Sequence, residues 1–379
     1  MSGIIRRDVL IGSAALACGA VIGRAAAQEV KSTGVGKIAL GRAAKKAQAF
    51  LERFGAPGLS LAYARDGRIR YAGAFGVADP RDHTALRTNH RFRIASVSKP
   101  ITSVAVWRLI ENRMLTAEQK VFGTGGVLPQ YEIKRAPRRD WLEMITIDHL
   151  LTHTGGGWTN DVDDPMFHYP GQRQEDLIQQ TLETAPLKTR PGEAYAYSNF
   201  GYCVLGRIIE AATQRSYESV VRELVLSPSG AETMSIAGDT LEERKPDEVY
   251  YHDPDGWAYK MNVARMDSHG GWIATAGELV SFVLHADGYK TVPDLISRDT
   301  MRRMIARSKA SAYYARGWSI NPRHNNRWHN GALPGTASLL VRVEGGGHFA
   351  GLVNTRVRNP DINDALDALL WSIYDEVNG

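Results

Sequence analysis

At 379 residues, 43% apolar and 23% charged, the chain has ordinary globular composition and the length for one large or two intertwined domains, which excludes general disorder. The formal charge of +5 becomes +3 without residues 1–27, which hold Arg6, Arg7 and Arg24 against Asp8. So small an excess, with no dense Lys/Arg run, gives no footing for nucleic-acid binding.

Residues 1–27 read as an export signal. Arg6-Arg7 precedes an apolar run from Val9 to Ile22, and Ala25-Ala26-Ala27 offers a small-residue cleavage site before Gln28. The twin arginine points to the Tat route and a periplasmic protein, residues 28–379. An uncleaved anchor helix is the alternative and would be the only membrane contact. A lipid anchor on Cys18 fits less well, because Ala15-Leu16-Ala17 is a poor lipobox. With the signal removed only Cys203 remains, so no intramolecular disulfide can form.

Next, Ala43, Ala47, Phe50, Leu51 and Phe54 recur at helical spacing until Gly55 and Pro57 end the pattern. Leu59–Ala64 and Ile69–Phe75 flank Asp66-Gly67, which predicts a β-hairpin. From Ser96 to about Ala286, helical periodicities such as Val104, Val106, Leu109 and Ile110 alternate with loops rich in Pro, Gly and Asp. Strands return at Ser338–Val343 and Phe349–Asn354 around Gly345-Gly346-Gly347, and a last helix runs from Asp361 through Ile373. The expected fold is α+β: an antiparallel sheet built from residues 37–95 and 287–379, flanked by helices, with a mainly helical region, 96–286, inserted between its halves. The cleft between the parts is the expected site.

Three motifs carry chemistry. In Ser96-Val97-Ser98-Lys99 a serine and a lysine three apart share one face of a helix, so the amine can take the hydroxyl proton. Tyr197-Ser198-Asn199 and His329-Asn330-Gly331 follow in order. A glycine in the third motif lets a neighbouring backbone approach closely. Other patterns carry less. His149 and His153 have the spacing of paired zinc ligands, but no Glu follows His149. Asp161, Asp163 and Asp164 lack the Gly and distal Glu of a calcium loop and read as a solvated acidic loop. Gly123-Thr-Gly-Gly126 has no Gly-Lys-Ser/Thr continuation, and no G-x-S-x-G elbow occurs.

These motifs, together with Pro57-Gly-Leu-Ser-Leu-Ala, Ile145 to Gly156, Pro191 to Asn199 and Leu333-Pro-Gly335, resemble the serine β-lactamase-like superfamily. That superfamily includes class C β-lactamases, D-alanyl-D-alanine carboxypeptidases and related esterases. The resemblance implies a β-lactamase/transpeptidase-like fold and an acyl-enzyme on Ser96, with no metal or organic cofactor and a small-molecule or peptide substrate. It implies Lys99 and Tyr197 as catalytic partners and leaves open which of them is the base, since the two titrate as a pair. Backbone N–H groups of Ser96 and Ala332 would hold the oxyanion. Asn199, His329, Asn330 and Gly331 would orient substrate. It makes His149 and His153 structural.

His329-Asn330-Gly331 stands where the superfamily places a Lys-Thr-Gly or His-x-Gly strand; compared with the Lys-Thr-Gly of class C β-lactamases, His329 offers a weaker, pH-dependent charge to a substrate carboxylate. That departure favours peptide or amide hydrolysis, with carboxylesterase or weak β-lactamase action as the alternative. A penicillin-binding sensor that does not turn over, or an acyltransferase, would use the same residues. Trp158, Phe167, His168 and Tyr169 are either an aromatic rim for substrate or loop packing.

Overall fold

Asp66 and Gly67 both adopt positive φ, 54° and 74°, and close a hairpin between the strands Gly58–Arg65 and Arg68–Asp79. The computed structural model describes residues 29–358 and 361–378; the expected export signal and Cys18 lie outside them. Gly58–Arg65 also pairs with Gly347–Val353, which pairs with Thr336–Arg342, then Arg327–Leu333, then the short strand Ser319–Ile320. Glu29–Ser32 closes the other edge against Arg68–Asp79, so the sheet begins ahead of residue 37. Every pairing is antiparallel, and the strands come from both ends of the chain. The fold class is therefore α+β.

The sheet separates two cores because its side chains alternate. Leu59, Leu61, Tyr63, Ala337, Leu339 and Val341 face the helices Lys37–Phe54 and Ile362–Asn378, whose Phe50, Phe54, Leu366 and Leu370 complete that core. Gly55 ends the first helix at φ 57°, where its lack of a Cβ avoids strain. On the opposite face, Ala62, Ala64 and Leu340 join the larger core with the helices Ser98–Glu111, Asn199–Thr213 and Ala276–Leu284. Ser98–Glu111 is buried on nearly all sides, which is why its apolar residues follow no single stripe. Among the described residues no helix is long and apolar enough to cross a membrane.

A second, three-stranded sheet, Phe92–Arg93 with Trp272–Ala274 and Ser235–Ile236, delivers the chain to Ser96. That delivery is fastened to the main sheet. Ser338 Oγ donates to the Ile94 carbonyl at 2.7 Å, and Thr336 Oγ1 donates to the Arg93 carbonyl at 2.9 Å. Gly331 is the cross-strand partner of Ser338, and a Cβ there would collide with both the Ile94 carbonyl oxygen and the Ser338 hydroxyl. Gly331→Ala should therefore destabilise the protein by about 1–3 kcal/mol through overpacking. Asn330→Ala, on the exposed opposite face, should stay within about 0.5 kcal/mol. Urea unfolding reads both, and an unchanged midpoint for Gly331→Ala would refute the close approach.

Candidate active site

Ser96 is presented from the 3₁₀ turn Ala95–Val97, two residues ahead of the helix proper, and Lys99 lies in that helix's first turn. Ala95 sits at φ 47°, an unusual conformation for alanine that the docking of this turn on the sheet maintains. Ser96 is half-buried and reachable; Lys99 is completely buried. Lys99 Nζ lies 3.0 Å from Ser96 Oγ, 2.7 Å from Asn199 Oδ1 and 2.9 Å from the His269 carbonyl oxygen. As an ammonium, Lys99 donates to all three. As a neutral amine it gives its two N–H bonds to the two pure acceptors, and its lone pair is left for the Ser96 hydroxyl.

Local structure sets each of those neighbours. Asn199 opens its helix behind the N-cap Ser198, whose Oγ accepts from Gly201 N–H. Asn199 Nδ2 donates to Asp164 Oδ2 at 2.7 Å; a carboxylate only accepts, so the amide must turn its oxygen to Lys99. Asn160 Oδ1 accepts from Asn199 N–H, while Asn160 N–H donates to the Tyr197 carbonyl. His269 belongs to a π-helical turn, Asp267–Gly271, tied to the Lys99 helix by Thr102 Oγ1 donating to the Ser268 carbonyl at 2.6 Å.

Burial dominates the electrostatics. It pushes the Lys99 amine down to about 7, with Asp164 pulling weakly the other way. It pushes the Tyr197 phenol far above its ordinary value, a shift that the neighbouring Ser96 hydroxyl only partly offsets. The Tyr197 ring centre lies 4.9 Å from Lys99 Nζ, and the His153 ring packs at 4.3 Å from it. His153 Nδ1 accepts from Ser198 N–H, and its pKa is pushed well down by burial and by Lys99. His149 Nδ1 accepts from Thr146 N–H as part of a helix cap.

The His329 strand divides by phase. His329 points inward, with Nδ1 2.8 Å from the Asn330 carbonyl oxygen and Nε2 3.3 Å from Tyr314 Oη. Burial, then Lys99, holds its pKa at about 3, so it offers no cation at any pH where the chain is expected to work. The expected pH-dependent charge is corrected on that point. Asn330 is corrected too. Strand alternation turns its side chain to the opposite face of the sheet, beside Trp328, Asn363 and Trp371. Gly331 lies under Ala95 and Ala332 lines the cavity. A two-residue loop, Pro334-Gly335, closes on the Leu333–Thr336 pair, so the next pair, Ala332–Ala337, is not hydrogen-bonded across the strands. Ala332 N–H therefore faces the open strand edge, since Ser319–Ile320 covers only Arg327 and Trp328.

A cavity of about 580 Å³ opens in front of Ser96, walled by Asn199, Asp164, His269, Ala332 and Arg356 among others. Asp164 is thus no mere solvated acid, as expected from sequence, but the partner that orients Asn199. The aromatic loop splits. Phe167 and His168 line the cavity, whereas Trp158 is buried, donating to the Ala185 carbonyl and packing on Phe200. Val162, Phe167 and Trp257 leave 76%, 52% and 58% of their surfaces exposed at this cavity, an apolar mouth to which sequence reading did not assign Val162 or Trp257. Among the described residues no group of three or more His, Cys, Asp or Glu side chains converges as a metal site would.

Residues 43–370 match the Beta-lactamase family. The chain is 34% identical to esterase EstB of Burkholderia gladioli over 200 residues, 50% of this chain and 49% of that protein. It is 28% identical to penicillin-binding protein 4* of Bacillus subtilis (strain 168) over 313 residues, 74% of this chain and 64% of that protein. It thus spans about half to two-thirds of the length of these curated relatives. Its fold superimposes on the octameric penicillin-binding protein homologue from Pyrococcus abyssi with a TM-score of 0.70, at 22% identity, over 89% of this chain and 79% of that one.

Four buried histidines, His153, His269, His329 and His348, are pushed below their ordinary pKa, chiefly by burial. The unfolded chain binds the protons they refuse, so the contribution of these four rings to stability is full above about pH 6.5 and declines as pH falls below it, by up to about 1.4 kcal/mol per pH unit for each histidine. Urea midpoints should drop steadily from pH 7 to pH 5. A flat profile over that range would contradict the buried neutral rings.

Proposed function

The chain belongs to the beta-lactamase family, and we propose that it is a serine hydrolase that cleaves an amide or peptide bond through an acyl-enzyme on Ser96. The observation that carries this reading is a buried amine of pKa about 7 placed 3.0 Å from a half-exposed serine hydroxyl. Lys99 is the base: near neutral pH an appreciable fraction of it is unprotonated, while the phenol of Tyr197 keeps its proton. In the first step Ser96 Oγ bonds to the substrate carbonyl carbon and its proton passes to Lys99 Nζ. The oxyanion is received by the backbone N–H groups of Ser96 and Ala332, donors that typically contribute roughly 3 kcal/mol each to the transition state. When the carbon–nitrogen bond breaks, Tyr197 gives its proton to the leaving amine and is reprotonated from Lys99. Water then attacks the ester, with the same groups working in reverse.

Asn199 holds Lys99 in register, while His329 packs behind the site against Tyr197 and Tyr314, and Gly331 lets the Ser96 turn lie on the sheet. Similarity to an esterase over half the chain supports carboxylester cleavage as a second reading, because an alkoxide leaving group needs less help from Tyr197 than an amine does. Export rests on Arg6-Arg7, the apolar run and Ala25-Ala26-Ala27.

Turnover of a short-chain p-nitrophenyl ester, a D-Ala-D-Ala peptide, a linear peptide amide and nitrocefin decides the bond type. The profile of kcat/KM should rise tenfold per pH unit below about pH 7 and level off above it, as Lys99 loses its proton. Ser96→Ala should lose at least about a thousandfold and no longer carry a fluorophosphonate adduct by mass spectrometry. Full activity in Ser96→Ala, or an adduct on another serine, would overturn the reading.

A further inference from the structure

The face of the main sheet that turns away from Ser96 is only partly covered. The helices Lys37–Phe54 and Ile362–Asn378 lie over Leu59, Leu61, Leu339 and Val341, but beside the second helix the strand Arg327–Leu333 leaves Trp328 partly and Asn330 largely open. A cavity of about 390 Å³ remains there, lined by Trp328, Asn330, Asn363, Asp364, Asp367 and Trp371 over Leu339 and Val341. It shares Asn321, Asn326 and Trp371 with a second cavity of about 530 Å³, so the two form one groove. Among the described residues no lysine or arginine lines either part.

The groove is built from fixed parts. Trp371 packs edge-on against Phe349 and Tyr374, with ring centres 4.9 and 5.5 Å apart, and Trp328 rests on the same core. Asn363, Asp367 and Trp371 recur every four residues, so a single stripe of Ile362–Asn378 carries them. On the other wall Asn321 Oδ1 accepts from the N–H groups of Arg323 and His324, and Asn326 Oδ1 accepts from Glu344 N–H. With their oxygens committed, both amides retain Nδ2 as a donor. The groove therefore offers indole surface, N–H donors and carboxylate acceptors together. Carboxylates repel an anion, and N–H donors give a cation nothing. A sugar ring answers all three, because its hydroxyls both donate and accept while its C–H face lies flat on an indole.

We propose that this groove binds an uncharged oligosaccharide, with its rings against Trp328 and Trp371 and its hydroxyls bonded to the Asn321 and Asn326 amides and the Asp364 and Asp367 carboxylates. The site lies on the opposite face of the sheet from Ser96, so it holds the protein on a glycan while the catalytic cavity stays free. It does no chemistry on the sugar. The proposal rests neither on the hydrolase reading nor on export.

Calorimetric titration with triacetylchitotriose, cellotriose and maltotriose tests it and separates an amino-sugar glycan from a β- or an α-linked glucan. At least one trisaccharide should bind with a Kd of about 1 mM or tighter, and equally well to Ser96→Ala. Trp328→Ala should weaken that binding about tenfold or more, and Asp367→Ala about threefold or more, with turnover at Ser96 unchanged in both. Asp367 lies on the open side of its helix, so Asp367→Ala keeps the test standing even where Trp328→Ala fails to fold. No binding of any of the three sugars at about 10 mM, or binding that survives both substitutions, overturns the proposal. A groove that takes tetramethylammonium instead of sugar, or that joins two copies in a sedimentation-velocity dimer abolished by Trp328→Ala, has a different occupant and overturns it as well.

Discussion

One amine kept out of water organises this molecule. Lys99 Nζ touches a hydroxyl and two carbonyl oxygens, and no carboxylate reaches it directly. Moving its pKa from 10.5 to about 7 represents on the order of 5 kcal/mol of disfavoured charge, a cost the rest of the fold must sustain. Asp164 sits one partner away, on the far end of the Asn199 amide. At that distance its charge pulls back part of the shift, whereas in contact it would lock the ammonium in place. The same burial keeps His153, His269 and His329 neutral, so these rings add no cation beside Lys99.

The fold serves that constraint by bringing distant segments together. The sheet supplies a flat, rigid wall, and the missing side chain at Gly331 lets the turn that holds Ser96 lie directly on it. Ser338 and Thr336 spend their hydroxyls on the Ile94 and Arg93 carbonyls, which fixes the turn's height and direction. The π-helical turn at Asp267–Gly271 faces a carbonyl toward Lys99 that a regular α-helix would have kept in its own hydrogen-bond ladder. Ser96 is then the point where a buried proton acceptor meets an open cavity.

Much of this was legible in the residues. Strands at both ends of the chain, with a helical middle, imply the shared sheet, and Asp66-Gly67 announces its hairpin. The Ser96 to Lys99 spacing places amine and hydroxyl together whether the serine lies on the helix or, as here, on the 3₁₀ turn before it. Asn330 shows where the reading stopped short: His329 and Gly331 both face inward, so strand phase alone sends the residue between them outward. Asp164 left no such signal. Its role comes from Asn199, 35 residues away, and a loop aspartate beside two others looks the same whether solvated or engaged. Arg356 and Trp257 were equally silent, because loops that close a cavity carry no periodicity. Trp158 was ambiguous for a simpler reason: aromatic side chains serve cores and rims alike.

The state of the Lys99 amine tests the account most directly. Protein labelled with ¹³C at lysine Cε, compared with Lys99→Arg to assign the resonance, allows that one side chain to be titrated by NMR. The account predicts a midpoint near pH 7 for the resonance that Lys99→Arg removes. A Lys99 resonance that stays in its protonated position up to pH 10 would contradict it.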